Sequence, residues 1–182
     1  MKINTATGLL ESVQYLPSPH NDNRPEETRI DMVVVHGISL PPGEFGSNAI
    51  SEFFCGTLDT RSHSAFADIA TLRVSAHLFI RRDGEIIQFV PFTQRAWHAG
   101  VSSFQGKTHC NDFSIGIELE GTDEIPYEKI QYKQLSKVIT LLMQTYPDIT
   151  RDRIVGHCEI APGRKTDPGL IFDWNYLKGI LA

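Results

Sequence analysis

The sequence predicts an α/β domain of the mixed α+β kind, with a central mixed β-sheet flanked by helices. Three observations carry that prediction. Asp31 to His36 is a β-branched run bounded by polar residues, the pattern of a strand buried on both faces. Ser114 to Glu120 alternates, placing Glu118 and Glu120 on one face and Ile117 and Leu119 on the other. From about Glu128 to Tyr146, Leu135, Val138, Ile139, Leu142 and Tyr146 recur at three- and four-residue steps, which gives an amphipathic helix that stops before Pro147.

The other elements follow along the chain. Ser18 to Pro25 is polar and turn-rich and reads as a lead-in linker. Pro41, Pro42, Gly43 and Gly46 forbid a regular ladder between Ser39 and Gly46, so this is a loop, after which Asn48 caps a short helix through Phe54. His77–Arg82 and Ile86–Val90 flank Asp83-Gly84, the signature of a hairpin closed by a tight turn. Ile154 to His157 reads as a short strand or turn entering a loop, and Asp173 to Leu181 as a final helix. With no internal repeat, one domain over residues 1–182 is expected.

Composition narrows the function classes. The 182 residues are 41% hydrophobic, enough for one core without disulfides. With 17 Lys+Arg against 22 Asp+Glu, the net charge of −5 argues against bulk attraction to nucleic acid or anionic membranes. No apolar run approaches the ~20 residues of a membrane span. The segment Met1 to Thr5 lacks the apolar region of a secretory signal, so a cytoplasmic protein without stable membrane association is expected. Cys55, Cys110 and Cys158 form an odd set without a CxxC pair, which suits reduced thiols.

Chemistry concentrates where strands give way to loops. His36 and His157 stand at two such places, and the loop after the second carries Asp167 between turn-forming Pro and Gly residues. Two imidazoles and a carboxylate satisfy a catalytic zinc, which takes three N, O or S ligands and leaves a fourth position for water. Spacing alone leaves the plain alternative standing, since seven histidines offer many accidental combinations and buried strand-end histidines are commonly just hydrogen-bonded.

A series of ordered motifs adds to this. Val33-Val34-Val35-His36, Arg73-Val74-Ser75-Ala76-His77, Arg81-Arg82-Asp83-Gly84, Ala96-Trp97-His98-Ala99-Gly100, Asn111 to Gly121 and Gly156 to Gly169 together resemble the AmpD-type N-acetyl-anhydromuramyl-L-alanine amidases. They span about residues 15–175. The resemblance implies the fold shared by phage-lysozyme-type amidases and peptidoglycan recognition domains. It also implies hydrolysis of the amide between the lactyl group of anhydro-N-acetylmuramic acid and the L-Ala of the stem peptide, in cytoplasmic peptidoglycan recycling. One Zn²⁺ per chain is implied, with His36, His157 and Asp167 as ligands, Glu118 as the catalytic carboxylate and Lys165 as the lysine near the metal.

Glu120 shares a face with Glu118, and sequence physics does not choose between them; the resemblance places the role on Glu118. Arg73, Trp97 and His98 are candidate substrate contacts on an anhydro-muropeptide whose stem carries carboxylates, with core packing an equal reading for Trp97. Positions 37 and 109 join them as departures: Gly37 stands where relatives often carry asparagine, and His109 where they often carry arginine. His77 and His98 as fourth ligands would close the catalytic position, so structural or outer-shell roles are expected of them. His20, His63 and His109 are read as surface or loop residues, Cys55 and Cys110 as buried, and Cys158 as facing away from the metal along a strand. A monomer is expected. The rival readings are a muropeptide-binding module without catalysis, a less selective N-acetylmuramoyl-L-alanine amidase, and a cysteine hydrolase using Cys158 or Cys110.

Overall fold

The β-branched run at 31–36 becomes a central strand of a six-stranded mixed sheet in the computed structural model, which describes residues 1–181. The strands are β1 (Ile3–Asn4), β2 (Leu9–Leu10), β3 (Gln14–Tyr15), β4 (Asn21–Asn23), β5 (Met32–Ile38), β6 (Leu78–Ile80), β7 (Ile86–Gln88), β8 (Gln94–Ala96), β9 (Ser103–Phe104), β10 (Lys107–Thr108), β11 (Ser114–Glu120) and β12 (Ile154–Gly156). The helices are α1 (Ala49–Phe54), α2 (Lys129–Thr145), α3 (His157–Ile160) and α4 (Trp174–Ile180). The main sheet runs in the order β12-β5-β11-β6-β7-β3. Its first four strands are mutually parallel, β7 is antiparallel to β6, and β3 is parallel to β7.

The two-residue period of β5 and β11 sorts their side chains into two layers. Val33 and Val35, with Ile115, Ile117 and Leu119, pack against Leu135, Val138, Ile139 and Leu142 of α2. Met32 and Val34 face the opposite side, among Phe113, Val155 and Ile160. β5, apolar on both faces, reads as a continuous apolar run, whereas β11 alternates because Ser114, Gly116 and Glu118 occupy the face away from α2. At the N-terminus of α2 the Gln131 side chain accepts the free Glu128 N–H (2.9 Å), one of the donors a helix start leaves unpaired. His36 continues the Met32/Val34 face, and β11 pairs Glu118 with His36, so both point away from α2. Polar chemistry is thereby confined to one face of the sheet.

Five expectations need correction. Ser18–Pro25 is no linker: β4 pairs with β8, Ser18 and His20 are buried, and the Arg24 side chain enters the core. His20 is therefore no surface residue, its Nδ1 lying 3.1 Å from the Val74 carbonyl. The hairpin lacks a two-residue turn. Gly84 N–H bonds Arg81 O and Arg81 N–H bonds Glu85 O, with positive φ only at Gly84, which is a three-residue loop closed by a glycine bulge. Asn48 occupies the N-cap of α1 without a side-chain bond to the helix, and Ser47 Oγ instead accepts the Ala49 N–H. Finally, Cys55 is only half-buried, whereas Cys110 is buried as expected.

Arg24 ties the N-terminal segment to the sheet. Its guanidinium donates to the carbonyls of Phe92, Asn111, Asp112 and Ser114. Arg24→Met strips these buried acceptors of a charged donor and is expected to cost about 3–5 kcal/mol, measured by urea unfolding. A loss below about 1 kcal/mol would show that water replaces the guanidinium.

Candidate active site

Two histidines emerge side by side because β12 and β5 are parallel and Gly156 pairs with Val35, which puts the next residues, His157 and His36, at neighbouring strand ends. His157 is the first residue of α3 and not part of a loop, so the helix turns its ring back over the sheet. Asp167 returns in the following loop. The Cys158 N–H donates to the Asp167 carbonyl (3.0 Å), and the Tyr127 hydroxyl donates to the Pro168 carbonyl (3.0 Å). His36 Nδ1 lies 3.0 Å from His157 Nδ1, and Asp167 Oδ2 lies 3.1 Å from each nitrogen.

The donor set fits a small divalent cation. Tetrahedral zinc with bonds of about 2.0–2.1 Å holds its ligand atoms about 3.3 Å apart, close to what the three side chains already show. On its outer side His157 Nε2 faces the Ala99 carbonyl at 3.2 Å. A carbonyl only accepts, so a hydrogen on that nitrogen serves this contact and leaves Nδ1 free to face a cation; the Arg164 guanidinium, 3.4 Å from the same nitrogen, shares the Ala99 carbonyl. Burial pushes His36 down to about 4, so its ring is neutral at physiological pH. Burial would raise Asp167, but its close contacts with His157 and His36, at 3.1 Å each, outweigh it and hold the carboxyl well below the usual range.

Glu118 and Glu120 part company here. Both Glu120 oxygens are occupied, accepting the backbone N–H groups of Gly46 and Arg82, so this carboxylate anchors the 39–46 loop. Glu118 is buried, and its Oε2 has no hydrogen-bond partner. Burial, followed by the nearby charge of Asp167, raises its carboxyl well above the ordinary range, and Lys165 opposes the shift. Gly37, Trp97, Glu118, Lys165 and Asp167 line a cleft of about 210 Å³. A larger concavity of about 940 Å³ borders the same loop, and Lys165 alone lines both.

The other sequence candidates scatter. Trp97 lines the cleft and donates its indole N–H to Asp22 (3.2 Å). His98 lies beneath His36 with both ring nitrogens engaged by protein atoms. Arg73 is exposed and spends its guanidinium on the carbonyls of Ala70 and Leu72, and His109 is exposed in a left-handed conformation, so neither lines the cleft. At Gly37 an added Cβ would overlap the Tyr127 hydroxyl, which fills the space a side chain would need. His77 is buried, its Nδ1 accepting the Gly116 N–H. Cys158 sits on a helix, half-buried, beside the larger concavity. Two contributors had no sequence signal: Tyr127, and Arg164, whose guanidinium donates to the Ala99 carbonyl (2.6 Å).

Fold and site define a class, hydrolases that carry a single-metal donor set at the C-terminal ends of parallel strands in a mixed sheet. The family described as Amidase_2, N-acetylmuramoyl-L-alanine amidase, matches residues 26–170. The 1,6-anhydro-N-acetylmuramyl-L-alanine amidase AmpD of Escherichia coli (strain K12) is 59% identical over 167 residues, covering 92% of this chain and 91% of that protein. An AmpD crystal structure superposes with a TM-score of 0.96 at 54% identity, covering all of both chains. The E. coli amidase AmiD, solved with anhydro-N-acetylmuramic acid-L-Ala-D-γ-Glu-L-Lys, gives 0.60 at 28% identity over 87% of this chain and 60% of that one. The chain belongs to the N-acetylmuramoyl-L-alanine amidase family and is an amidase.

The buried Glu118 carboxyl makes stability depend on pH. A folded-state value raised above the unfolded one stabilises the protonated form, so this contribution is fully present below the ordinary glutamate range and is lost as pH rises from there through the raised folded-state value. The metal-free Glu118→Gln protein is therefore expected to melt higher than wild type near neutral pH and to converge with it in acid. Thermal melts from about pH 4 to about pH 8 check this; a gap that stays constant would refute it.

Proposed function

We propose that this chain is a zinc-dependent 1,6-anhydro-N-acetylmuramyl-L-alanine amidase of cytoplasmic peptidoglycan recycling. It would cut the amide between the lactyl carbonyl of anhydro-N-acetylmuramic acid and the L-Ala nitrogen. The convergence of His36, His157 and Asp167 beside a buried, unpartnered Glu118 carries this reading. The names of its relatives, and the substrate in the AmiD complex, support the substrate class. No helix among the described residues is long and apolar enough to cross a membrane, which is compatible with this placement.

His36, His157 and Asp167 would hold the zinc, which when bound polarises the scissile carbonyl and makes water acidic enough to attack near neutral pH. Glu118 accepts the proton of the attacking water. The raised basicity that burial gives this carboxylate suits the task. As the carbon–nitrogen bond breaks, Glu118 returns the proton to the departing L-Ala amine, leaving a lactyl carboxylate and a free amino group. Lys165, on the cleft wall, places its ammonium where negative charge develops on the carbonyl oxygen. Trp97 offers a flat apolar wall to the sugar, and the Gly37 backbone lines the same cleft.

Release of stem peptide from an anhydromuramyl tripeptide is expected to stop on chelation and to return with zinc. Glu118→Gln should keep stoichiometric zinc while kcat falls about 100- to 10,000-fold, and Lys165→Ala should lose about 100- to 1,000-fold. Chelator-insensitive release would reject zinc dependence. Faster cleavage of the non-anhydro counterpart would move the substrate to ordinary wall fragments.

A further inference from the structure

We propose that His98 is a positioning residue for the metal centre, and that a hydrogen-bond chain from the Cys110 carbonyl through Ser114 and His98 fixes His36 as an Nδ1 ligand. This rests on the reading of His36, His157 and Asp167 as a zinc site. The direction of each bond follows from what each atom can do. The Ser114 hydroxyl lies 2.6 Å from the Cys110 carbonyl, which can only accept, so the hydroxyl hydrogen is spent there. Ser114 Oγ must then accept from His98 Nε2, 3.0 Å away. With its hydrogen on Nε2, the neutral His98 ring presents a bare Nδ1, and this faces His36 Nε2 at 2.9 Å. His36 donates across that contact. Its own Nδ1 is left without a hydrogen, aimed at His157 Nδ1 and Asp167 Oδ2.

The neighbouring residue does the same for the second imidazole, because the Ala99 carbonyl accepts from His157 Nε2. Two consecutive residues thus set the tautomers of both histidines. Their backbone is pinned in turn by Asn111, whose Oδ1 accepts the N–H groups of His98 (3.1 Å) and Ala99 (2.7 Å). β11 makes room for the ring. At Gly116, any Cβ would overlap the His98 imidazole, so a larger residue there would expel it. The opposite tautomer of His36 would put a hydrogen where the metal binds, and each unit of population in that state lowers the affinity of the site.

Zinc competition against a chelating indicator tests the chain. His98→Leu is expected to bind zinc about 10- to 100-fold more weakly than wild type. His98→Asn, whose Oδ1 stands where the ring Nδ1 stood, should recover most of that loss. Wild-type affinity in His98→Leu would overturn the inference while leaving the zinc site intact. Failure of the wild type itself to take up stoichiometric zinc would overturn the reading of the site and this inference with it. Where His98→Leu does not fold, ¹⁵N spectra of the imidazoles in the zinc-loaded wild type decide. A zinc-bound Nδ1 on His36, a bare Nδ1 on His98 and a protonated Nε2 on both are expected, and a hydrogen on His98 Nδ1 would refute the chain.

Discussion

The site depends on the parallel register of three strands. β12 pairs Gly156 with Val35 of β5, and β11 pairs Glu118 with His36, so one alignment delivers both histidines and the buried glutamate to one face. A slip of β11 by one residue would send Glu118 into the α2 layer and bring a leucine or isoleucine to the metal side. Apolar packing enforces the register: Ile115, Ile117 and Leu119 are buried against α2 and have no acceptable place on the other face. The hydrophobic layer beneath the sheet therefore specifies the polar geometry above it.

That geometry is electrostatically costly in the absence of a cation. Two imidazole nitrogens 3.0 Å apart, an Asp167 carboxyl held below its usual range and a desolvated Glu118 share a small volume, with Lys165 exposed at its margin. Buried polar groups normally find partners, and the unpartnered Glu118 Oε2 departs from that rule where a reacting water would need an acceptor. Glu120, two residues on, shows the contrast. The same side chain on the same face is fully engaged by two backbone donors and holds a loop. Chemical identity and face do not separate the two carboxylates, but their unequal supply of nearby N–H groups does.

Much of this was legible in the sequence. The runs at 31–36 and 114–120 and the helix ending before Pro147 followed from periodicity, which reports burial directly. The convergence of His36, His157 and Asp167 did not follow from spacing, because it depends on which strands lie side by side, and pairing order leaves no periodic trace. Ser18–Pro25 misled for a related reason. Its polar residues pair with protein atoms rather than water, Arg24 with four carbonyls and Ser18 with one, and composition alone does not distinguish the two cases. Tyr127 and Arg164 were invisible because each acts through long-range bonds to backbone carbonyls, Tyr127 to Pro168 and Arg164 to Ala99 and Val101.

A division of labour follows from where the contacts fall. The floor of the cleft is built from β5, β11 and the start of α3, and its bonds run inward to Ala99, Asn111 and Ser114, atoms that no substrate reaches. The rim is built from loops; Arg73 and His109 are exposed outside it and line no part of the cleft. A change at the rim leaves the register and the donor set untouched, whereas a change in the floor alters both together. Gly37 lies at the boundary: the missing side chain is matched by a Tyr127 hydroxyl that also holds the Asp167 loop. A side chain placed at position 37 would have to displace that hydroxyl, and with it the bond to the Pro168 carbonyl next to Asp167.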